Sequence, residues 1–157
     1  MIWAVPSAAM TDKVTFSLSN QDDETVSNSD FAGKKYVMFF YPRAMTPGCT
    51  VESCDFRDNY AAFAEAGYSI LGVSPDKPAS NKKFKEKENL NFDLLSDEEH
   101  SLAESLGAWG EKKNYGKVYE GLIRSTFVVD ESGSVAHAYR NVRAKGHVER
   151  VKANLLG

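Results

Sequence analysis

Apolar positions in this chain change period several times, and each change marks an element. Tyr36-Val-Met-Phe-Phe-Tyr41 is a continuous apolar and aromatic run stopped by Pro42, the pattern of a strand covered on both faces, and it reads as the central strand of a sheet. A loop from Pro42 to Gly48 follows. Phe56, Tyr60 and Phe63 then recur at i, i+4 and i+7 before Gly67, predicting one helix that leaves that strand. Tyr68–Ser74 supplies the next strand and Pro78 to about Glu88 a polar helix. Asp97 to Leu106 is predicted as another helix, begun by an Asp cap with Glu98 and Glu99 in its first turn. A Gly, Lys and Tyr-rich loop comes next. Ser125–Val129 and Val135–Tyr139 flank Asp130-Glu-Ser-Gly-Ser134, a hairpin signal. Val148, Val151 and Leu155 repeat at helical spacing and predict a closing amphipathic helix from His147. Val14–Leu18 is read as a short N-terminal strand. The order β, α, β, α, α, β, β, α predicts an α/β fold with a mixed central sheet flanked by helices.

Length and charge narrow the function classes. At 157 residues and 42% apolar content the chain has the size of one domain with a real core, expected over residues 13–157, with residues 1–12 as a frayed extension. Met1–Ala9 lacks the basic region and the apolar length of a secretion signal, so a cytoplasmic setting is expected. No run approaches the roughly 18 apolar residues that span a bilayer. The formal charge of −3, with Lys and Arg scattered among acids, makes nucleic acid a poor partner. The densest basic stretch, residues 81–88, carries its own acids and reads as a solvated helix face.

Two cysteines are too few for a disulfide framework, so redox or catalytic use is one reading and burial as small hydrophobes the other. Cys49 follows Pro47-Gly48 at the predicted helix start, where unpaired N–H groups and the positive end of the helix dipole favour a thiolate, the reactive form of a thiol. At about 100° per residue Cys49 lies within about 40° of Phe56, Tyr60 and Phe63 and faces inward, while Cys54 lies about 140° round and faces away. C-x4-C with the isolated His100, His137 and His147 makes no recognisable metal ligand set, and no metal or other cofactor is expected.

The whole segment Phe40-Tyr-Pro-Arg-Ala-Met-Thr-Pro-Gly-Cys-Thr-Val-Glu-Ser-Cys54 resembles the active-site signature of peroxiredoxins, specifically the bacterioferritin comigratory protein (PrxQ) group. It carries that family's Pro-x-x-x-Thr-x-x-Cys at Pro42, Thr46 and Cys49, and the group's second cysteine five residues on, at Cys54. Tyr115–Asp130 resembles the stretch bearing the group's active-site arginine, here Arg124. The resemblance implies a thioredoxin-like fold and a thiol-dependent peroxidase for hydrogen peroxide and organic hydroperoxides. It further implies that Cys49 becomes a sulfenic acid, Cys54 resolves it as an intramolecular disulfide, and thioredoxin or a similar dithiol reduces the product, the protein acting as a monomer or weak dimer. Thr46 would hydrogen-bond the thiolate or the peroxide, Arg124 would stabilise thiolate and leaving-group charge, and Pro42 would shield the sulfur from water. Arg43-Ala44-Met45 replaces the more usual Lys-Asp-x after the proline, and the family's N-terminal Pro-x-Phe is not evident.

Residues five apart on an intact helix have Cα atoms roughly 8.6 Å apart, whereas a disulfide needs less than ~7 Å, so pairing of these cysteines requires the helix to unwind. Glu52 fits the group pattern too, and its simplest role is an acid that stabilises the helix start. A dithiol-disulfide oxidoreductase of the wider thioredoxin-like class would instead carry C-x-x-C, which is absent. A redox-responsive binding module would need a partner surface that nothing in the sequence supplies.

Overall fold

The computed structural model describes residues 13–114 and 116–156; the expected extension, residues 1–12, lies outside them. Nine strands and five α-helices are placed along these residues. They are β1 Ser17–Ser19, β2 Thr25–Ser27, β3 Lys35–Phe40, α1 Pro47–Asp58, α2 Tyr60–Glu65, β4 Tyr68–Ser74 and α3 Pro78–Glu88. After these come β5 Asp93–Ser96, α4 Ser101–Ser105, β6 Trp109–Asn114, β7 Lys117–Leu122, β8 Ser125–Val129, β9 Val135–Tyr139 and α5 His147–Leu156. Seven strands form one mixed sheet in the order β2-β1-β5-β4-β3-β8-β9, and β6 pairs only with β7. The pairs β3/β4 and β4/β5 are parallel, and β8 runs antiparallel to β3.

The apolar run of β3 lies inside the sheet, and its side chains alternate between two cores. Tyr36, Met38 and Phe40 join Leu71, Val73, Leu95, Leu102 and Phe127 on one face. Val37, Phe39 and Tyr41 join Phe56, Phe63, Phe84, Val148 and Val151 on the other, which α1, α2, α3 and α5 cover. Each such side chain, removed from water, contributes roughly 1.5–3 kcal/mol, so this strand anchors whatever its C-terminal end carries. Gly72 of β4 is required by close packing: a Cβ there would lie 2.7 Å from Leu94 Cδ2 and 3.0 Å from Phe39 Cζ.

Several elements depart from the sequence reading. The helix expected to run through to Gly67 is broken at Asn59, whose side-chain amide donates to the Asp55 carbonyl at 2.8 Å and competes with the helical ladder. Strand β5 was expected as neither strand nor helix. Only Leu94 and Leu95 of its four residues are apolar, and they are held by parallel pairing to β4. The helix expected from Asp97 is reduced to α4, and Glu98 and Glu99 lie in the preceding turn. Asp97 still caps it, accepting from the main-chain N–H groups of Leu102 at 3.3 Å and Ala103 at 2.9 Å. The loop expected after it contains the β6–β7 hairpin, whose mostly exposed side chains hide the strand period. In the basic stretch, Asn81 and Phe84 are buried while the charged side chains remain exposed or half-exposed. Asn81 accepts from Tyr41 Oη at 2.6 Å and donates to Ser96 Oγ at 3.2 Å, tying α3 beneath the ends of β3 and β5.

Candidate active site

The site is assembled where β3 ends. Pro42 leaves the strand half-buried, Ala44 N–H donates to Asp76 Oδ2 at 2.7 Å, and Met45 takes φ 64°, turning the chain back toward a helix. Thr46 is the N-cap of α1 and Pro47 its first residue, a position where the missing proline N–H costs nothing. Cys49 therefore falls in the first turn, wholly buried, with its sulfur toward the sheet as the wheel predicted. Both cysteines are free thiols.

Arg124 arrives from the loop between β7 and β8. Its Nη2 donates to Cys49 Sγ at 3.3 Å and its Nη1 to Glu52 Oε1 at 2.6 Å. Cys49 and Glu52 are three residues apart and share one helix face, so one planar guanidinium spans both. Gly48 makes room for this approach, since a Cβ there would sit 3.1 Å from Arg124 Nη2. A cation so placed stabilises negative charge on sulfur in a site where water screens little. Burial works against the Arg124 charge, but the Glu52 carboxylate and Cys49 outweigh it and raise its pKa.

Glu52 is the residue that sequence reasoning misplaced. It is not an acid in the first turn of α1, which begins at Pro47, but a fully buried carboxyl in the turn that follows. Burial pushes its pKa up to about 7, against the lowering pull of Arg124. Its Oε2 has no hydrogen-bond partner among the described residues, which adds to the cost of ionising it. The signal was available: Cys49, Glu52, Ser53 and Phe56 form one i, i+3, i+4, i+7 stripe, and all four are buried.

Thr46 lies beside this cluster, but its hydroxyl donates to the Arg43 carbonyl at 2.8 Å and leaves only lone pairs to offer. Pro42 and Arg124 line a cavity of about 520 Å³ with Ile123, Val142, Lys112 and Arg140, while Cys49, wholly buried behind Arg124, is not part of its wall. Lys112 donates to the Leu122 carbonyl at 2.8 Å, and burial followed by the Arg124 charge lowers its pKa. Cys54 is half-buried on another side of α1, as expected, and is not drawn into the Arg124 cluster; its thiol meets Glu88. Among the described residues no group of three or more His, Cys, Asp or Glu is placed to hold a metal ion, and no helix is long and apolar enough to cross a membrane.

A buried cysteine at a helix start, hydrogen-bonded by an arginine at the end of a parallel strand in a mixed sheet, is the arrangement of a protein that works through a reactive thiol. Comparison with known proteins narrows it further. The AhpC/TSA family model matches residues 10–138. Peroxiredoxin Bcp of Bacillus subtilis is 52% identical over 131 residues, 83% of each chain, and its Escherichia coli counterpart 47% over 132 residues, 84% of this chain and 85% of that one. A bacterioferritin comigratory protein of Xanthomonas campestris, solved in trapped intermediate and ligand complexes concerning its alkyl peroxide reduction, superposes with a TM-score of 0.85 at 37% identity. That match covers 96% of this chain and 94% of the other. A PrxQ variant of Xylella fastidiosa gives a TM-score of 0.87 at 28% identity over 94% of both chains. The chain belongs to the AhpC/TSA family and is a peroxiredoxin of the Bcp/PrxQ kind, a thiol-dependent peroxidase.

Proposed function

We propose that Cys49 is the peroxide-reducing cysteine, that Cys54 resolves it, and that Arg124, Thr46 and Pro42 complete the site. The single observation carrying this reading is the Arg124 guanidinium, bonded to Cys49 Sγ at 3.3 Å and braced by Glu52 at 2.6 Å. The Cys49 thiolate attacks one peroxide oxygen; an S–O bond forms, the O–O bond breaks, and the departing oxygen takes a proton to leave as water or an alcohol. Arg124 stabilises the charge moving from sulfur to the leaving oxygen. Thr46, its own proton occupied by Arg43, accepts the hydroperoxide O–H, and Pro42 keeps water from the sulfur. The cavity, with apolar Ile123 and Val142 among its walls, has room for the organic part of an alkyl hydroperoxide beside hydrogen peroxide.

The first turns of α1 then unwind, and the Cys54 thiolate attacks the sulfenic acid to give one intramolecular disulfide. Thioredoxin or a similar dithiol reduces it by thiol-disulfide exchange. Because both cysteines lie on one helix, resolution needs no second subunit, in keeping with a monomer or weak dimer.

The test is to mix reduced protein with equimolar hydrogen peroxide and follow thiol loss and intact mass. Oxidation far faster than that of a free thiol is expected, abolished in Cys49→Ser, with Cys54→Ser stopping at sulfenic acid. A rate like that of free cysteine overturns the assignment.

A further inference from the structure

Cys54 is held in the folded state by contacts that the peroxide step does not use. Its thiol donates to Glu88 Oε1 at 3.5 Å. Arg57, three residues further along the same helix, donates Nη1 to the main-chain oxygen of Glu88 at 2.5 Å. The Arg57 carbonyl in turn accepts from Asn91 Nδ2 at 3.4 Å. Glu88 is the last residue of α3, and its C-cap Asn89 takes the left-handed conformation at φ 52°. At such a helix end the final carbonyls have no partner within the helix and are free to accept elsewhere. One residue thus grips α1 twice, by its carboxylate at Cys54 and by its carbonyl at Arg57.

We infer that Glu88 is a positioning residue that holds Cys54 as a docked thiol while α1 is folded and delays its attack on oxidised Cys49 until the helix unwinds. This rests on the reading of Cys54 as the resolving cysteine. In the resolving step the S–S bond forms and the Cys49 S–OH bond breaks. The Cys54 thiol proton joins the departing hydroxide as water. The thiol must lose that proton to become a nucleophile, and a carboxylate accepting it opposes the loss. The charged groups facing the Cys54 sulfur are Arg57 and Asp58 from its own helix and Glu88 from α3. Burial raises its pKa first; Arg57 lowers it, and the Glu88 hydrogen bond and charge and the Asp58 charge raise it. Release from Glu88 accompanies unwinding, because the same movement that brings Cys54 toward Cys49 carries it off the end of α3. The device sets the lifetime of the sulfenic acid, and with it the exposure of Cys49 to a second peroxide that would take it to sulfinic acid.

The experiment uses Glu88→Gln and Glu88→Ala in the whole chain. Both keep the main-chain carbonyl that holds Arg57, so two independent side chains probe the carboxylate. First, in a Cys49→Ser background, the pH dependence of Cys54 alkylation by iodoacetamide is measured, a readout that a merely structural role would not move. Removing one elementary charge about 3.5 Å away, at a water-like dielectric, is expected to move the titration down by about one unit and speed alkylation at pH 7 about tenfold. Second, with Cys49 present, quenched-flow mass analysis follows sulfenic acid to disulfide. Resolution is expected to be several-fold faster in both variants, with less sulfinic acid formed in excess hydrogen peroxide. Alkylation titrations coincident with the parent, or resolution within twofold of the parent in both variants, overturn the inference. Failure of the unsubstituted protein to consume peroxide, with the alkylation titration still shifted, would instead indict the reading of the Cys49 site.

Discussion

The buried carboxyl of Glu52 yields a stability test with a defined sign. Its pKa stands at about 7 in the folded chain against 4.5 for the ordinary side chain, so the folded state holds the proton more tightly. The stability this confers is fully present below pH 4.5 and is lost as the pH rises through about 7. With one pKa unit equal to about 1.4 kcal/mol, the full swing is about 3 kcal/mol, most of which falls between pH 5 and pH 8. Glu52→Gln keeps an acceptor for Arg124 Nη1 and removes the titration. The assay is urea unfolding of parent and variant at half-unit steps from pH 5 to pH 8. The difference between the two chains removes the contribution of every other titrating group to first order. The parent is expected to gain roughly 2–3 kcal/mol on the variant as pH falls across that range. A flat difference would refute the reasoning. A difference of opposite slope would do more, because it would mean that attraction to Arg124 at 2.6 Å wins over burial and holds the carboxylate ionised.

Four further outcomes follow from the same structure. Arg124→Lys keeps a charge but not the fork that spans Cys49 and Glu52, and the second-order rate with hydrogen peroxide, followed by stopped flow, is expected to fall on the order of 10²-fold. Gly48→Ala puts a methyl 3.1 Å from Arg124 Nη2 and should lower the same rate while leaving the unfolding midpoint within a few degrees. His147 is buried, its Nε2 against Thr126 Oγ1 at 2.7 Å and its Nδ1 without a partner among the described residues. Burial first, then the Arg150 and Arg124 charges, lower its pKa to about 4. Its contribution to stability is therefore present above pH 6.5 and lost as pH falls toward 4, so the parent should lose roughly 2–3 kcal/mol relative to His147→Asn between pH 7.5 and pH 4.5 in the same urea assay. Gly72→Ala forces Leu94 or Phe39 to shift and is expected to cost roughly 1–3 kcal/mol in denaturant unfolding.

What the amino-acid order determined unaided is what local physics governs. The unbroken apolar run at Tyr36–Tyr41, the strand at Tyr68–Ser74, the helix from Pro78 to Glu88, the hairpin around Gly133 and the helix from His147 appear where their periods and turn residues place them. The motif from Pro42 to Cys54 sets Cys49 in the first turn of a helix with its sulfur inward, because proline, glycine and the 3.6-residue repeat act over a few residues. Strand β5 and the β6–β7 hairpin were not legible, since four residues with only two apolar ones among them and a solvated ribbon carry little period of their own and depend on the partner that pairs with them. The break at Asn59 escaped notice because it rests on a side-chain amide that shares the Asp55 carbonyl with the main-chain N–H of the same residue, a contact the apolar period does not register. Only the folded chain decides that Arg124, 75 residues from Cys49, donates to its sulfur, that Glu52 shares that arginine and is buried with it, and that the end of α3 meets Cys54. Those contacts join groups far apart in sequence, and a charge changes its behaviour when burial removes water and leaves it one partner.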